Sequence, residues 1–204
     1  MNNVGALRAE AASASVVRLE SKLTWREMLA RIRADRERLA SLLRTRTGSA
    51  FALSLHPSFL CVFLYRISNY LMCRGLGLPA RAVWQLNFLI TGADISPGCD
   101  FGGGLLIISP AGTSLMGAAG KNMTVLPCSG IGGEMGNDLD VGAGPGLPLL
   151  QDNVLLEPHA GILGPVRVGN GVRVRAGVVL TKDAPDEVDV VGATPRFITR
   201  KGRE

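Results

Sequence analysis

Residues 150–180 read LQDNVLLEPHAGILGPVRVGNGVRVRAGVVL, and this stretch decides the fold. Every sixth residue is aliphatic: Leu150, Leu156, Ile162, Val168, Val174 and Leu180. Small, polar and charged residues fill most of the intervals. A six-residue period is neither helical nor simple strand alternation. It is the pattern of a hexapeptide β-helix, in which each short strand sends one aliphatic side chain to the axis and a tight corner follows. Three such faces close one coil of about 18 residues. An ordinary β-sandwich would instead alternate with period two and turn every eight to twelve residues or so. The same phase extends upstream through Ile95, Phe101, Ile107, Thr113, Ala119, Val125 and Ile131. Thr113 and Ala119 are weak members, and the register is expected to break only between Ile131 and Leu150.

The composition suits a solenoid. Of 204 residues, 26 are glycine while aromatics make up only 5%, as corners and a narrow axis require. Apolar residues at 47% and charged residues at 19% exclude a disordered chain. The net charge of +5 is concentrated near Arg33–Arg46, Arg167–Arg175 and Arg196–Arg203. Such patches meet phosphates or remain solvated; nothing in them points to nucleic acid. The cysteines Cys61, Cys73, Cys99 and Cys128 form no CxxC pair and no Cys/His cluster, so no metal is expected. Free thiols and the lack of a secretory signal predict a cytoplasmic protein. The apolar stretch from Phe51 to Cys73 is interrupted by His56, Pro57 and Arg66 and is too short to span a bilayer. A membrane-surface contact there stays open.

Upstream of the repeats, helical signals dominate. Residues 1–20 are weakly patterned. Thr24-Trp25-Arg26-Glu27 reads as a capping box, with Met28, Leu29, Ile32, Leu39, Leu42 and Leu43 at helical spacing behind it and Gly48 as its stop. A second helix is expected from Pro57 to Cys73, ending at Gly75, and a third from about Pro79 to Ile90, ending near Gly92. These helices form a cap over residues 1–92, because a solenoid end exposes apolar axis residues and unpaired strand edges. The repeats fill residues 93–204, with an inserted loop at 132–148 and a closing segment from Pro185 to Ile198. The loop, GGEMGNDLDVGAGPGLP, carries Glu134, Asp138 and Asp140 with no basic residue. It is either a functional loop on a rigid scaffold or a simple corner insertion.

Several motifs together resemble the bacterial serine acetyltransferases. They are Leu55-His56-Pro57-Ser58-Phe59, Leu64-Tyr65-Arg66-Ile67, Asn87-Phe88-Leu89-Ile90-Thr91-Gly92, Asp94-Ile95-Ser96-Pro97-Gly98 and Gly102-Gly103-Gly104-Leu105. Further along, Ile162-Leu163-Gly164, Val168-Gly169-Asn170-Gly171 and Val191-Gly192-Ala193-Thr194-Pro195-Arg196 continue the likeness. The resemblance implies an α+β chain with a helical cap and a left-handed parallel β-helix, a homotrimer with intersubunit active sites, and acetyl-CoA or another acyl-CoA as co-substrate. In the family a catalytic His follows an Asp in a Leu-Asp-His-Ala-Thr-Gly run. Ile108 and Ser109 stand at those two positions here. The family's second histidine, in a His-Pro-Lys motif, falls near Leu147-Pro148-Leu149. Asp94 resembles the carboxylate that pairs with the catalytic His. The charged end Arg200-Lys201-Gly202-Arg203-Glu204 lacks the isoleucine that the family's cysteine-synthase partner grips, so that complex is not expected.

Acyl transfer to an alcohol needs a base. His56 lies at the cap's His-Pro helix start and is expected to be structural. His159 lies in a coil, two residues from Glu157, and residues two apart in an extended strand share a face. His159 is therefore the candidate base with Glu157 orienting it, against the reading of His159 as a structural or interface residue. Ala160, Gly161, Ala176 and Gly177 match the small-residue positions where the family passes the pantetheine arm. Lys182 and Arg196, with Arg173 and Arg175, are candidates for the CoA phosphates. The expected activity is a CoA-dependent acyl transfer to an altered small-molecule acceptor, an amine or amino acid drawn by the acidic loop. The alternative is a catalytically degenerate trimeric scaffold or ligand-binding protein.

Overall fold

The computed structural model describes residues 23–43 and 53–193. Gly48, the first twenty residues and Arg196 lie outside them. Among the described residues three helices come first: α1 (Trp25–Leu43), α2 (Pro57–Cys73) and α3 (Gly77–Thr91). The capping box forms as its chemistry requires. The Thr24 N–H donates to Glu27 Oε2 at 2.8 Å, and the Glu27 N–H donates to Thr24 Oγ1 at 3.2 Å. His56 caps α2, its Nδ1 accepting the Ser58 N–H at 3.3 Å, which bears out its structural role. Gly92 ends α3 in the left-handed region at φ 72°.

Fourteen short strands follow among the described residues: β1 (Asp94–Ile95), β2 (Asp100–Phe101), β3 (Leu106–Ile107), β4 (Ser114–Leu115), β5 (Ala118–Ala119), β6 (Thr124–Val125), β7 (Gly130–Gly132), β8 (Leu149–Leu150), β9 (Leu155–Leu156), β10 (Gly161–Leu163), β11 (Arg167–Val168), β12 (Arg173–Val174), β13 (Val179–Leu180) and β14 (Asp189–Val190). Every pairing between them is parallel, and they stack into three sheets. The first sheet runs β1-β4-β7-β10-β13, the second β11-β8-β5-β2, and the third β14-β12-β9-β6-β3. This is the three-faced parallel β-helix expected from the six-residue period. The predicted axis residues from Leu150 to Leu180 are all buried in one core with Ile95, Phe101, Ile107, Val125 and Ile131.

One part of the expected register is corrected. Thr113 is not an axis residue. Leu115 takes that place, pairing with Ile95 on one side and Ile131 on the other. Two extra residues at the Ser109–Thr113 corner delay the strand, and a step of only four residues from Leu115 to Ala119 restores the phase. Thr113 is still buried, and its hydroxyl donates to the Ser109 carbonyl at 3.2 Å. The larger aliphatic side chain captured the axis. The same four-residue step recurs between Leu180 and Ala184, which bridges to Val168.

The cap is fastened to the first coil by buried polar groups. Arg66 on α2 has no exposed surface, and its Nε and Nη2 donate to the Asp35 carboxylate of α1 at 2.9 and 3.1 Å. Arg66 also donates to the carbonyls of Phe101 and Gly102, the latter at 2.6 Å. Asp35 Oδ1 accepts the Leu105 N–H at 2.7 Å. Tyr65 and Asn69 donate to the Cys99 carbonyl at 3.0 and 2.7 Å. The terminal coil would otherwise bury backbone groups with no neighbouring coil to pair them. Burial opposes the charge on Arg66, but Asp35, Tyr65 and Asp100 together outweigh it and hold the guanidinium pKa above its ordinary value. No helix among the described residues is long and apolar enough to cross a membrane.

Candidate functional site

The site is built on the first sheet, β1-β4-β7-β10-β13. Leu115, Ile131, Ile162 and Leu180 point inward, so their neighbours face outward. Those outward residues are Ser114 and Met116, then Gly130 and Gly132, then Gly161 and Leu163, then Val179 and Thr181. Three of the four central positions carry no side chain. The outer face of this sheet is therefore a shallow trough of bare backbone, walled by Met116 and Val179, which are 38% and 52% exposed.

One end of the trough is a column of tight corners. Gly112, Cys128, His159 and Gly177 occupy equivalent places in successive coils, with φ of 75°, 57°, 60° and 70°. The coils are locked by the His159 N–H donating to the Pro127 carbonyl at 3.1 Å and the Gly177 N–H donating to the Pro158 carbonyl at 3.0 Å. His159 is exposed at this corner, and no hydrogen bond joins its imidazole to any described residue. The expected pairing with Glu157 is corrected. Glu157 Oε2 accepts the Ala176 N–H at 3.1 Å, and Oε1 meets Arg175 Nη1 at 3.2 Å in the next coil. The turn intervenes: the left-handed φ at His159 swings its side chain away from the face that strict alternation would give.

Asp94 does not join this corner either. Trp84 Nε1 donates to its Oδ1 at 2.9 Å, tying α3 to β1. Asp94 lies on β1, three strands from β10, or roughly 14 Å along the axis at about 4.8 Å per strand. The small residues do gather as expected. Ala160 and Gly161 follow His159 directly, and Ala176 and Gly177 form the same corner one coil on. An added Cβ on Gly161 would rest in ordinary contact with the Val179 side chain, 3.5 Å from its Cγ2.

The other end of the trough opens into a cleft of about 940 Å³ under the inserted loop. Its walls are Glu134, Asn137 and Asp140 from the loop, with Leu163, Arg167 and Lys182 from the coils. Lys182 thus lies across the sheet from Ala176 and Gly177 and does not share their corner. The loop is not loose. Val141 and Ala143 are buried with Ala118 and Leu149 on the outside of the second sheet, and Leu147 packs against them. The Glu134 N–H donates to the Gly146 carbonyl at 3.0 Å. The amides of Gly142 and Gly144 donate to Asp140 Oδ1 at 2.7 and 3.0 Å and hold its carboxyl below the usual range. Among the described residues no cluster of His, Cys, Asp and Glu is arranged to hold a metal.

The arrangement presents an extended groove with a histidine and a thiol at one corner and both charge signs at the other. The bacterial transferase hexapeptide family (six repeats) matches residues 148–182. The serine acetyltransferase of Helicobacter pylori (strain J99) is 31% identical over 150 residues, covering 72% of this chain and 85% of that one. The chain belongs to the serine acetyltransferase family. The serine acetyltransferase of Synechococcus elongatus is 30% identical over 74% of this chain, but the match spans only 60% of that relative's length. The Mycobacterium tuberculosis serine acetyltransferase is 29% identical, with 61% of its length matched. Among solved structures, the Neisseria gonorrhoeae serine acetyltransferase in complex with serine superposes with a TM-score of 0.69 at 24% identity, over 81% of this chain and 67% of that one. A serine acetyltransferase in complex with CoA gives 0.71 at 18% identity, over 85% and 71%. At these identities the superpositions bear on the fold, which agrees with the three parallel sheets and helical N-terminal region.

Sequence reasoning missed the outward glycines Gly130 and Gly132, and it missed Cys128. The run Gly130-Ile131-Gly132-Gly133 was the available signal for the first two. A single axis residue flanked by glycines predicts a strand with a bare outer face.

Proposed function

We propose that this protein is a CoA-dependent acyltransferase in which the bare outer face of the first sheet carries the acyl donor. The observation that carries this reading is the continuity of that face. Gly130 and Gly161 sit side by side next to the His159 corner, and Gly132 follows on β7 towards the cleft at Lys182 with the Leu163 side chain beside it, so a long thin arm could run against the backbone of β7. Lys182 and Arg167 supply positive charge for phosphates at the cleft end. Backbone amides along the trough polarise the thioester carbonyl as the acyl carbon becomes tetrahedral. His159 is the base within reach of the corner.

The fold behind this reading is a helical cap over residues 1–92 and a left-handed β-helix over residues 93–204, assembled as a homotrimer whose neighbouring copy closes the trough. Serine is bound by the Neisseria gonorrhoeae and soybean serine acetyltransferases among the structural neighbours. Here Ile108 and Ser109 stand where the family's Asp and His are expected. A different acceptor fits that change better. The acidic loop beside the cleft attracts a cation, and an amine, once deprotonated, needs less base assistance than an alcohol.

A second reading has its own support. Asp94 and Glu157 are both spent on structural contacts, as in a scaffold that has lost catalysis. A thermal-shift titration with acetyl-CoA and with free CoA separates the two. A native-state ligand at a hundredfold excess over its Kd stabilises by about 2.7 kcal/mol. A saturable rise supports the acyltransferase. No rise at millimolar CoA would sink the donor groove and leave the scaffold.

A further inference from the structure

Of the four cysteines, Cys61 and Cys99 are buried, Cys73 is half-buried, and only Cys128 is exposed. Cys128 sits at the turn between β6 and β7, and His159 at the turn between β9 and β10. These strands pair β6 with β9 and β7 with β10. The two turns are therefore consecutive rungs of one column, with about 4.8 Å between them. Cys128 and His159 thus stand on adjacent rungs at the mouth of the trough. Gly112 on one side and Gly177 on the other leave both flanks of the pair without side chains.

The backbone at Cys128 is unusual for its residue type. Positive φ is tolerated by Gly and Asn, as at Gly104, Asn122, Asn153 and Gly171 in the neighbouring corner column, where Glu187 at φ 55° is the exception. Cysteine has no such preference, and a non-glycine residue held there stores of order 1 kcal/mol or more. The sulfur leans toward Gly112, where an added Cβ would come within 3.2 Å of it. Reaching the His159 side requires rotation about χ1, which takes picoseconds to nanoseconds for an exposed side chain.

We propose that Cys128 carries the acyl group during transfer, an inference that rests on the acyl-CoA reading above. His159 takes the proton of the Cys128 thiol, and the thiolate attacks the carbonyl carbon of acyl-CoA. The bond from Cys128 sulfur to the acyl carbon forms, and the bond from that carbon to the CoA sulfur breaks. His159 returns the proton to the departing CoA thiolate. An amine acceptor then attacks the Cys128 thioester. Its proton passes through His159 to the Cys128 sulfur, which leaves as the free thiol. One thioester is exchanged for another, so no oxidant, reductant or further reactant is needed. Splitting the transfer in two gives this chain a route through a sulfur nucleophile, with His159 at the corner as the base.

The test uses the wild-type chain, so it does not depend on a variant folding. The protein is incubated with acetyl-CoA without acceptor, quenched in acid, and analysed by intact mass and peptide mapping. The expected result is one hydroxylamine-labile acetyl group on Cys128 and none on Cys73. In Cys128→Ala the acetyl group is lost while the CoA-dependent thermal shift persists. In His159→Asn, a residue suited to the same positive φ, alkylation of Cys128 by iodoacetamide at pH 7 slows at least tenfold. A saturable CoA shift with no acetyl on Cys128, or equal labelling of Cys73, overturns this proposal and leaves the acyl-CoA reading standing. An unchanged transfer rate in Cys128→Ala overturns it equally. Absence of any CoA shift overturns both.

Discussion

Asp35→Ala is the substitution on which the account of the cap depends most. Asp35 is 3% exposed and Arg66 is fully buried, with two hydrogen bonds between them at 2.9 and 3.1 Å. Removing the carboxylate leaves a buried guanidinium without its counter-charge and the Leu105 N–H without the acceptor it meets at 2.7 Å. Breaking one side of a buried pair costs about 3–5 kcal/mol. At roughly 2–4 °C per kcal/mol for a chain of this size, Tm should fall by about 10 °C. The double variant Asp35→Leu with Arg66→Met removes the charge altogether. The Phe101 carbonyl keeps a donor in Arg31 Nη1 at 3.1 Å, whereas the Gly102 carbonyl loses Arg66. The Leu105 N–H is unpaired in both variants, and the one further unpaired carbonyl costs about 1–3 kcal/mol, less than an uncompensated buried charge, so the double variant should be more stable than Asp35→Ala alone. Urea unfolding followed by circular dichroism measures both. A loss below about 1 kcal/mol for the single variant, or a double variant less stable than it, would refute the claim that this pair fastens the cap.

Gly161→Leu should leave Tm within about 2 °C, because the new side chain points outward and its Cβ makes only ordinary contact with Val179, yet weaken the CoA-dependent thermal shift at least tenfold in apparent affinity; unaltered CoA binding would move the donor off this sheet. Thr24→Ala should cost about 1 kcal/mol in urea unfolding by removing the capping box of α1. The Thr24 amide and hydroxyl hold the Glu27 carboxyl below its ordinary value, so this contribution is present at neutral pH and is lost as pH falls through the lowered folded pKa. The Thr24→Ala variant should show a correspondingly weaker acid dependence. For Asp140 the sign is the same: its carboxyl is depressed by the Gly142 and Gly144 amides, so those two amide resonances should shift together in an acid titration, at a pH below the usual carboxylate midpoint. Independent midpoints would mean that the carboxylate does not organise the loop.

The residues that carried the sequence reading were those with local consequences. A six-residue aliphatic period demands a corner every few residues, and only a three-faced coil buries one side chain per strand at that spacing. Thr24 and Glu27 satisfy each other across one helical turn, so four letters announced the start of α1. The loop at 132–148 was visible because its run of glycine and acidic residues cannot continue a strand. What escaped was what depends on the next coil. Thr113 fits the six-residue phase and Leu115 does not, but Leu115 pairs with Ile95 and Ile131 because burying leucine on the axis is worth more than keeping the step constant.

By itself, then, the sequence determined the kind of solenoid, the helices that cap it and the place of its insertion, because these follow from periodicity and short-range hydrogen bonding. The tertiary structure alone decided which residues became neighbours across coils. Glu157 went to Arg175 and Ala176 in the next coil although His159 is nearer in sequence. Cys128 came to lie beside His159 although 31 positions separate them. In a stacked coil the residues that share a site are one rung apart in space and a full coil, here lengthened by the inserted loop, apart in the chain. That distance is set by the corners and insertions between them, and no local pattern encodes it.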